Sequence, residues 1–307
     1  MPLFSDYTAG LVKGASRGEG LGNRFLATIR ECDVIVHVVR NYLDDDVIHV
    51  NAEVDPVSDA EVVNLELLLA DLSHVQRRLE RTTCTGEERD VLLKVEKGLG
   101  DGLPARAIGL SPKEEFTIKS MGLLTLKRVI YAFNVDDIDF TMSKDELLKS
   151  AEEYMKQIQY CDLNKDTFMV VSAKLEAELG LMSIEERIKY LESLGVDTDP
   201  DLAYHSLPLL VKDLLNLSLV YTGPGVPPER SRTTKTHVLS ANDMSALDLA
   251  SKLHGDIQRG FIHAEITNSY DLMQHDSYIA AKEAGIVRME GKEYILKNDD
   301  VVLIKWR

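Results

Sequence analysis

Val34-Ile35-Val36-His37-Val38-Val39 is a continuous β-branched run broken only by His37. Such a run reads as a strand buried on both faces of a parallel sheet, with His37 as a packed strand residue. Upstream, Phe25, Leu26 and Ile29 mark the apolar face of a helix over residues 23–31. Glycines crowd the stretch before it, at Gly10, Gly14, Gly18, Gly20 and Gly22. A glycine loop, a helix and a buried strand in that order are the start of an α/β fold.

Downstream the period changes. Leu65, Leu68, Leu72, Val75 and Leu79 are spaced three and four apart, a heptad seam. Thr82-Thr83-Cys84-Thr85-Gly86 breaks the pattern, and Leu92, Val95 and Leu99 resume it. The spacing predicts an antiparallel helical hairpin that buries its own seam. Gly98, Gly100, Gly102 and Pro104 end it. Arg77, Arg78 and Arg81 near its tip read either as a solvated helix end or as a contact for RNA.

The α/β pattern then returns. Ser111-Pro112-Lys113-Glu114 and Ser143-Lys144-Asp145-Glu146 are capping boxes. Residues 128–133 and 168–171 read as buried strands, with helices over residues 183–194 and 207–217. Each of the two strands ends in a polar cluster: Asn134-Val135-Asp136-Asp137 after the first, Ser172-Ala173-Lys174 after the second. Ligands bind at the carboxyl ends of strands in open α/β sheets. An Asn amide both donates and accepts, which suits a purine edge, although polar residues after strands also simply make turns. Tyr221-Thr222-Gly223-Pro224-Gly225-Val226-Pro227-Pro228 reads as a linker. Beyond it, strands over residues 236–240, 261–267, 287–289, 294–296 and 301–305 around a helix over residues 246–254 make a small mixed sheet of β-grasp type.

Composition narrows the function. Lys and Arg number 35 against 51 Asp and Glu, a net charge of −16. Residues 222–307 hold 11 basic and 12 acidic side chains, so nearly all the excess lies upstream. An acidic surface repels phosphate backbones, so DNA binding by bulk charge is excluded and the C-terminal part is the better place for an RNA contact. Apolar runs fall far short of the ~18 residues that span a bilayer, so no membrane contact is expected. The N-terminus lacks the pattern of a signal peptide. Cys32, Cys84 and Cys161 lie far apart, which argues against a disulfide framework and fits a cytoplasmic protein. His254, His263 and His275 lack metal-ligand spacing.

Gly10-Leu11-Val12-Lys13-Gly14-Ala15-Ser16-Arg17-Gly18-Glu19-Gly20-Leu21-Gly22-Asn23 resembles the switch II signature of the YchF, or Obg-like ATPase, family. The similarity continues through Val34–Arg40 and Asn64-Leu65-Glu66. Gly260-Phe261-Ile262-His263-Ala264-Glu265 and Ala281-Lys282-Glu283-Ala284-Gly285 resemble that family's TGS domain. The resemblance implies a P-loop NTPase G domain with a mostly parallel sheet, an inserted α-helical coiled-coil arm and a C-terminal β-grasp TGS domain. It divides the chain into residues 1–58, the G domain from switch II onward; 59–110, the arm; 111–221, the second half of the G domain; and 222–307, the TGS domain. It also implies ATP or GTP with Mg²⁺ as the bound group, nucleotide hydrolysis, and the ribosome as partner, with RNA contact through the TGS domain or the arm.

Carried over residue by residue, Asn134 faces the base in the family's NxxE element with Val135 beside it. Asp137 stands where the family has Glu, an arm one methylene shorter. Ser172, Ala173 and Lys174 match the SAK element, whose backbone packs the base from the other side. Gly10, Leu11, Lys13 and Gly14 fall in switch II, with Leu11 just after the DxxG glycine, where many GTPases carry a catalytic Gln. The register Tyr7-Thr8-Ala9-Gly10 puts Tyr where that motif has Asp. A triphosphate site needs GxxxxGK[ST], and Gly285, Gly291, Lys292 and Glu293 have neither its spacing nor its hydroxyl. The chain therefore reads as a family member without its N-terminal segment, deficient in hydrolysis and with no catalytic residue assigned. The alternative is a non-hydrolysing module that binds ribosome, RNA or protein through the TGS domain and the arm.

Overall fold

The computed structural model describes residues 21–43, 54–137, 144–195, 203–223, 234–241 and 243–307. The switch II positions Gly10, Leu11, Lys13 and Gly14, and the capping residue Ser143, lie outside them. The chain divides into two compact units between Pro208 and Leu209.

In the first unit α1 (Leu21–Glu31) leads into β1 (Val34–Arg40), followed by α2 (Pro56–Leu79), α3 (Gly86–Gly100) and α4 (Pro112–Ile118). Next come β2 (Arg128–Asn134), α5 (Lys144–Gln157), β3 (Thr167–Val171), α6 (Ala173–Leu179) and α7 (Ile184–Ser193), and α8 (Ala203–Leu214) runs across the division. β1, β2 and β3 form a parallel sheet in that order, with Arg40 opposite Asn134 and Asn134 opposite Val171. The strand ends are thereby brought level, three abreast.

Local chemistry accounts for the helix starts. Asp55 caps α2, accepting from the amides of Val57 and Ser58, with Pro56 at its first position. Ser111 and Glu114 close a reciprocal capping box on α4, as the sequence predicts, and Ser183 and Glu186 do the same for α7.

Two expectations about packing are corrected. β1 is not buried on both faces: Val39 is buried, but Val36 and Val38 are 38% and 61% exposed. Val39 and Ile35 pack with Ala60 of α2 and with Val129, Tyr131 and Phe133 of β2, so one face of the strand is packed and the Val36–Val38 face is open. The helical seam is also not self-contained. Leu68 and Val75 are buried with Leu92, Val95 and Leu99 of α3, whereas Leu65 is 40% exposed. The reason is that α2 changes partner along its length. Its first half lies on the sheet through Ala60 and Asn64, whose amide donates to the Tyr131 hydroxyl at 2.8 Å. Midway, buried Asp71 accepts from the amides of Leu124 and Thr125 at 3.1 and 2.7 Å and from Arg30 at 2.9 Å. Only the second half pairs with α3.

A buried ion pair closes the base of the sheet. Arg106 donates to Asp166 at 2.7 and 3.0 Å, and Asp166 also accepts from the amide of Val129 at the start of β2. His37 lies beside Tyr131, ring centroids 5.5 Å apart, a packed strand residue as expected.

The second unit is a five-stranded mixed sheet. β4 (Leu217–Thr222) and β5 (Lys235–Ser240) precede α9 (Ala246–Leu253) and α10 (Gly255–Arg259). β6 (Phe261–Asn268), α11 (Ser269–Met273), α12 (Tyr278–Glu283), β7 (Arg288–Glu290) and β8 (Asp300–Trp306) complete it. The strand order is β5-β4-β8-β6-β7, with β4 and β8 parallel and the other pairs antiparallel. Leu249 of α9 packs on one face with Val220, Ala264, Ile266 and Val302, and Ala281 of α12 packs with Val301 and Leu272. Tyr221 and Thr222, read from composition as linker, are strand residues of β4. The expected strand at residues 294–296 is only a bridge between Ile295 and Ser245.

Candidate functional site

The two polar clusters meet at the carboxyl ends of β2 and β3. Asn134 is the last residue of β2, and its side-chain oxygen accepts the backbone N–H of Ala173 at 2.9 Å. Its backbone oxygen accepts from the amide of Asn41 at 2.8 Å, tying in the end of β1. Val135 donates its amide to the Val171 oxygen at 2.8 Å, which carries the strand pairing one residue past β2. Ser172 is fully buried, and its hydroxyl caps α6 by accepting from the Leu175 amide.

Charge completes the arrangement. The Lys174 ammonium contacts both carboxylate oxygens of Asp137, at 2.8 and 3.1 Å. Asp137 shares a hydrogen bond with the carboxyl of Asp136, and that bond together with Lys174 holds Asp137 below the usual carboxylate range. The same shared bond pushes Asp136 up, and Asp137 in turn raises Lys174.

The six predicted residues therefore fall into two groups. Val135 and Ser172 are buried and build the frame. Asn134, Asp137, Ala173 and Lys174 form the accessible rim. The Asn134 oxygen accepts from Ala173, and its amide nitrogen has no hydrogen-bond partner among the described residues. Asp136, in the strand-end cluster but assigned no role from the sequence, and Asn41, which the sequence did not mark, join the site. Asp136 had a signal, as the neighbour of a predicted carboxylate; Asn41 enters through its backbone and had none. Among the described residues no group of three His, Cys, Asp or Glu side chains could hold a metal ion. Among them, too, no helix is long and apolar enough to cross a membrane.

Comparison with known proteins shows the family. The family model for the C-terminal domain of YchF GTPases, described as a protein of unknown function (DUF933), matches residues 235–307. The Bacillus subtilis protein named ribosome-binding ATPase YchF is 36% identical over 317 aligned residues, which cover 98% of this chain and 81% of that protein. Obg-like ATPase 1 of Caenorhabditis elegans is 31% identical, covering 100% of this chain and 76% of its own length. The solved structure of the Schizosaccharomyces pombe YchF GTPase superposes with a TM-score of 0.76 at 29% identity, covering 96% of this chain and 78% of that one. The architecture is thus an α/β fold of P-loop NTPase type with mixed sheets and helices, and the chain belongs to the YchF family.

Proposed function

We propose that this protein is a nucleotide-binding, ribosome-associated member of the YchF family, and that these 307 residues hold the purine end of the nucleotide without gripping its phosphates. The observation that carries the reading is the hydrogen bond from Ala173 to Asn134. It joins the two strand-end clusters into one rim, which holds the Asn134 amide and the Asp137 carboxylate, the latter paired with Lys174. The bound group fits this rim at its base. Asn134 supplies a donor to a purine edge, the backbone of Ser172–Lys174 offers a flat wall, and Asp137 accepts from an exocyclic amine or ring N–H.

The phosphates are another matter. No segment of the 307 residues reads GxxxxGK[ST], the motif whose amides and lysine hold the β- and γ-phosphates and whose hydroxyl holds Mg²⁺. Charge-assisted hydrogen bonds of that type contribute roughly 1.5–3 kcal/mol each. Without several of them, about 5 kcal/mol of binding is lost, which moves a micromolar affinity into the millimolar range. Hydrolysis by this chain alone is accordingly not expected. We read α2 and α3 as the family's inserted arm, which shares its root with the sheet. We read residues 222–307 as its TGS module of β-grasp type, and the relatives named for ribosome binding support ribosome association.

Saturation-transfer NMR with ATP tests the base site. The adenine protons should receive saturation from the wild-type chain and lose it with Asn134→Ala; no transfer to the wild type would refute the reading.

A further inference from the structure

A polar chain leads from the base site across α6 to α7. Lys174 and Glu178 lie four residues apart on α6, so their side chains share one side of that helix. The Glu178 carboxylate accepts from the Tyr190 hydroxyl of α7 at 3.1 Å. Tyr190 is half-buried, its ring packed with Leu175 and Leu179 of α6 and Leu191 of α7. Ser172 caps α6, and Ser183 with Glu186 caps α7. Packing and capping together therefore hold the hydroxyl to its carboxylate.

Lys174 has two carboxylates near it and pairs with one. Its ammonium lies 2.8 and 3.1 Å from the Asp137 oxygens. Asp137 raises that ammonium most, and Glu178 adds only a smaller push from farther off. Sequence distance would favour the opposite choice. Lysine and glutamate at i and i+4 are helical neighbours, although this is the weaker of their two orientations, whereas Asp137 belongs to the segment after β2.

Tyr190 supplies the reason. A carboxylate that accepts a phenolic O–H has an acceptor site and part of its charge committed, which makes Glu178 the poorer partner for Lys174. The coupling reaches the rim. Glu178 raises the Tyr190 hydroxyl above its ordinary value, and the charges of Asp137 and Lys174 act on it as well. A plain staple between α6 and α7 would account for the Tyr190–Glu178 bond, but not for Lys174 leaving its own helix for Asp137.

We infer that Tyr190 is a positioning residue for the base site: by holding Glu178 it keeps Lys174 on Asp137, and Lys174 in turn fixes the carboxylate that accepts from the purine. The inference rests on the base site proposed above. It extends the control of that site to α7, which supplies none of the rim residues.

Two NMR measurements on the full chain provide the test: titration with adenosine, and the pH titration of the Asp137 carboxyl carbon. Tyr190→Phe keeps the packed ring and removes only the hydroxyl. It should weaken adenosine binding about threefold, the share of one hydrogen bond. It should also move the Asp137 midpoint upward, because Lys174 is then divided between two carboxylates; Asp136 and Lys174 are the charged groups that face Asp137. Made in a Glu178→Gln background, the same change should do neither, since a neutral amide does not compete for the ammonium.

An Asp137 midpoint unmoved by Tyr190→Phe would overturn the inference. So would an equal loss of adenosine affinity in the wild-type and Glu178→Gln backgrounds, the result that a staple gives, because Gln still accepts from the hydroxyl. The two readings separate cleanly. A wild-type chain that binds no adenosine, yet shows the midpoint shift, removes the base site and leaves the relay standing. Adenosine binding and midpoint both untouched by Tyr190→Phe remove the role of Tyr190 alone.

Discussion

The side-chain oxygen of Asn134 accepts the backbone N–H of Ala173 at 2.9 Å, across 39 residues of sequence. Through this contact a strand end and a helix start become one surface, because Asn134 closes β2 while Ala173 opens α6. Asp137 and Lys174 repeat the link beside it as an ion pair at 2.8 Å. That second link is largely exposed on the Lys174 side, so it positions more than it stabilises, and Lys174→Ala should change stability by less than about 1 kcal/mol. Urea melts of the variant and wild type would check this.

The partner change along α2 has a direct mutational signature. Leu68→Ala, in the buried seam with α3, should cost about 2–5 kcal/mol, while Leu65→Ala, one heptad position earlier, should cost well under 1 kcal/mol. Chemical denaturation of the two variants distinguishes the observed packing from a continuous heptad seam, for which the losses would be similar.

Arg106 and Asp166 form the buried pair at the base of the sheet. Asp166→Ala strands a buried guanidinium and frees the Val129 amide, so it should destabilise the first unit by about 3–5 kcal/mol. A loss below about 1 kcal/mol in thermal or urea unfolding would show that the pair is not closed in solution.

His37 sets a pH dependence. Burial lowers its imidazole from 6.5 to about 4, so the folded chain keeps it neutral where the unfolded chain takes up a proton. Its contribution is complete above pH ~6.5, declines as the pH falls from there towards ~4, and is level below that. The span corresponds to an order of 1–3 kcal/mol after allowance for partial exposure. His37→Phe should flatten the stability curve across that window, whereas an unchanged slope would place the titration elsewhere.

Much of this was legible in the sequence for local reasons. The capping box at Ser111 and Glu114 is written within four residues, and β2 and β3 are short apolar runs with polar ends. The strand-end clusters were visible as residue types; the hydrogen bond joining them was not, since it depends on register. The exposed face of β1 was hidden because Val36 and Val38 are as β-branched as the buried Val39, so no alternation marks the open side. β4 was missed because Gly223 and Pro224 make its end look like a linker and its leucines extend the pattern of α8. The Arg106–Asp166 pair spans 60 residues, beyond any local pattern.

The central claim is that this polypeptide grips the purine and not the phosphates. Calorimetric or NMR titration of the purified 307-residue chain with adenosine and with Mg²⁺-ATP tests it most directly. The account predicts dissociation constants within about threefold of each other, because no GxxxxGK[ST] segment in the 307 residues supplies the charge-assisted contacts that would separate them. Mg²⁺-ATP binding a hundredfold or more tighter than adenosine would contradict it.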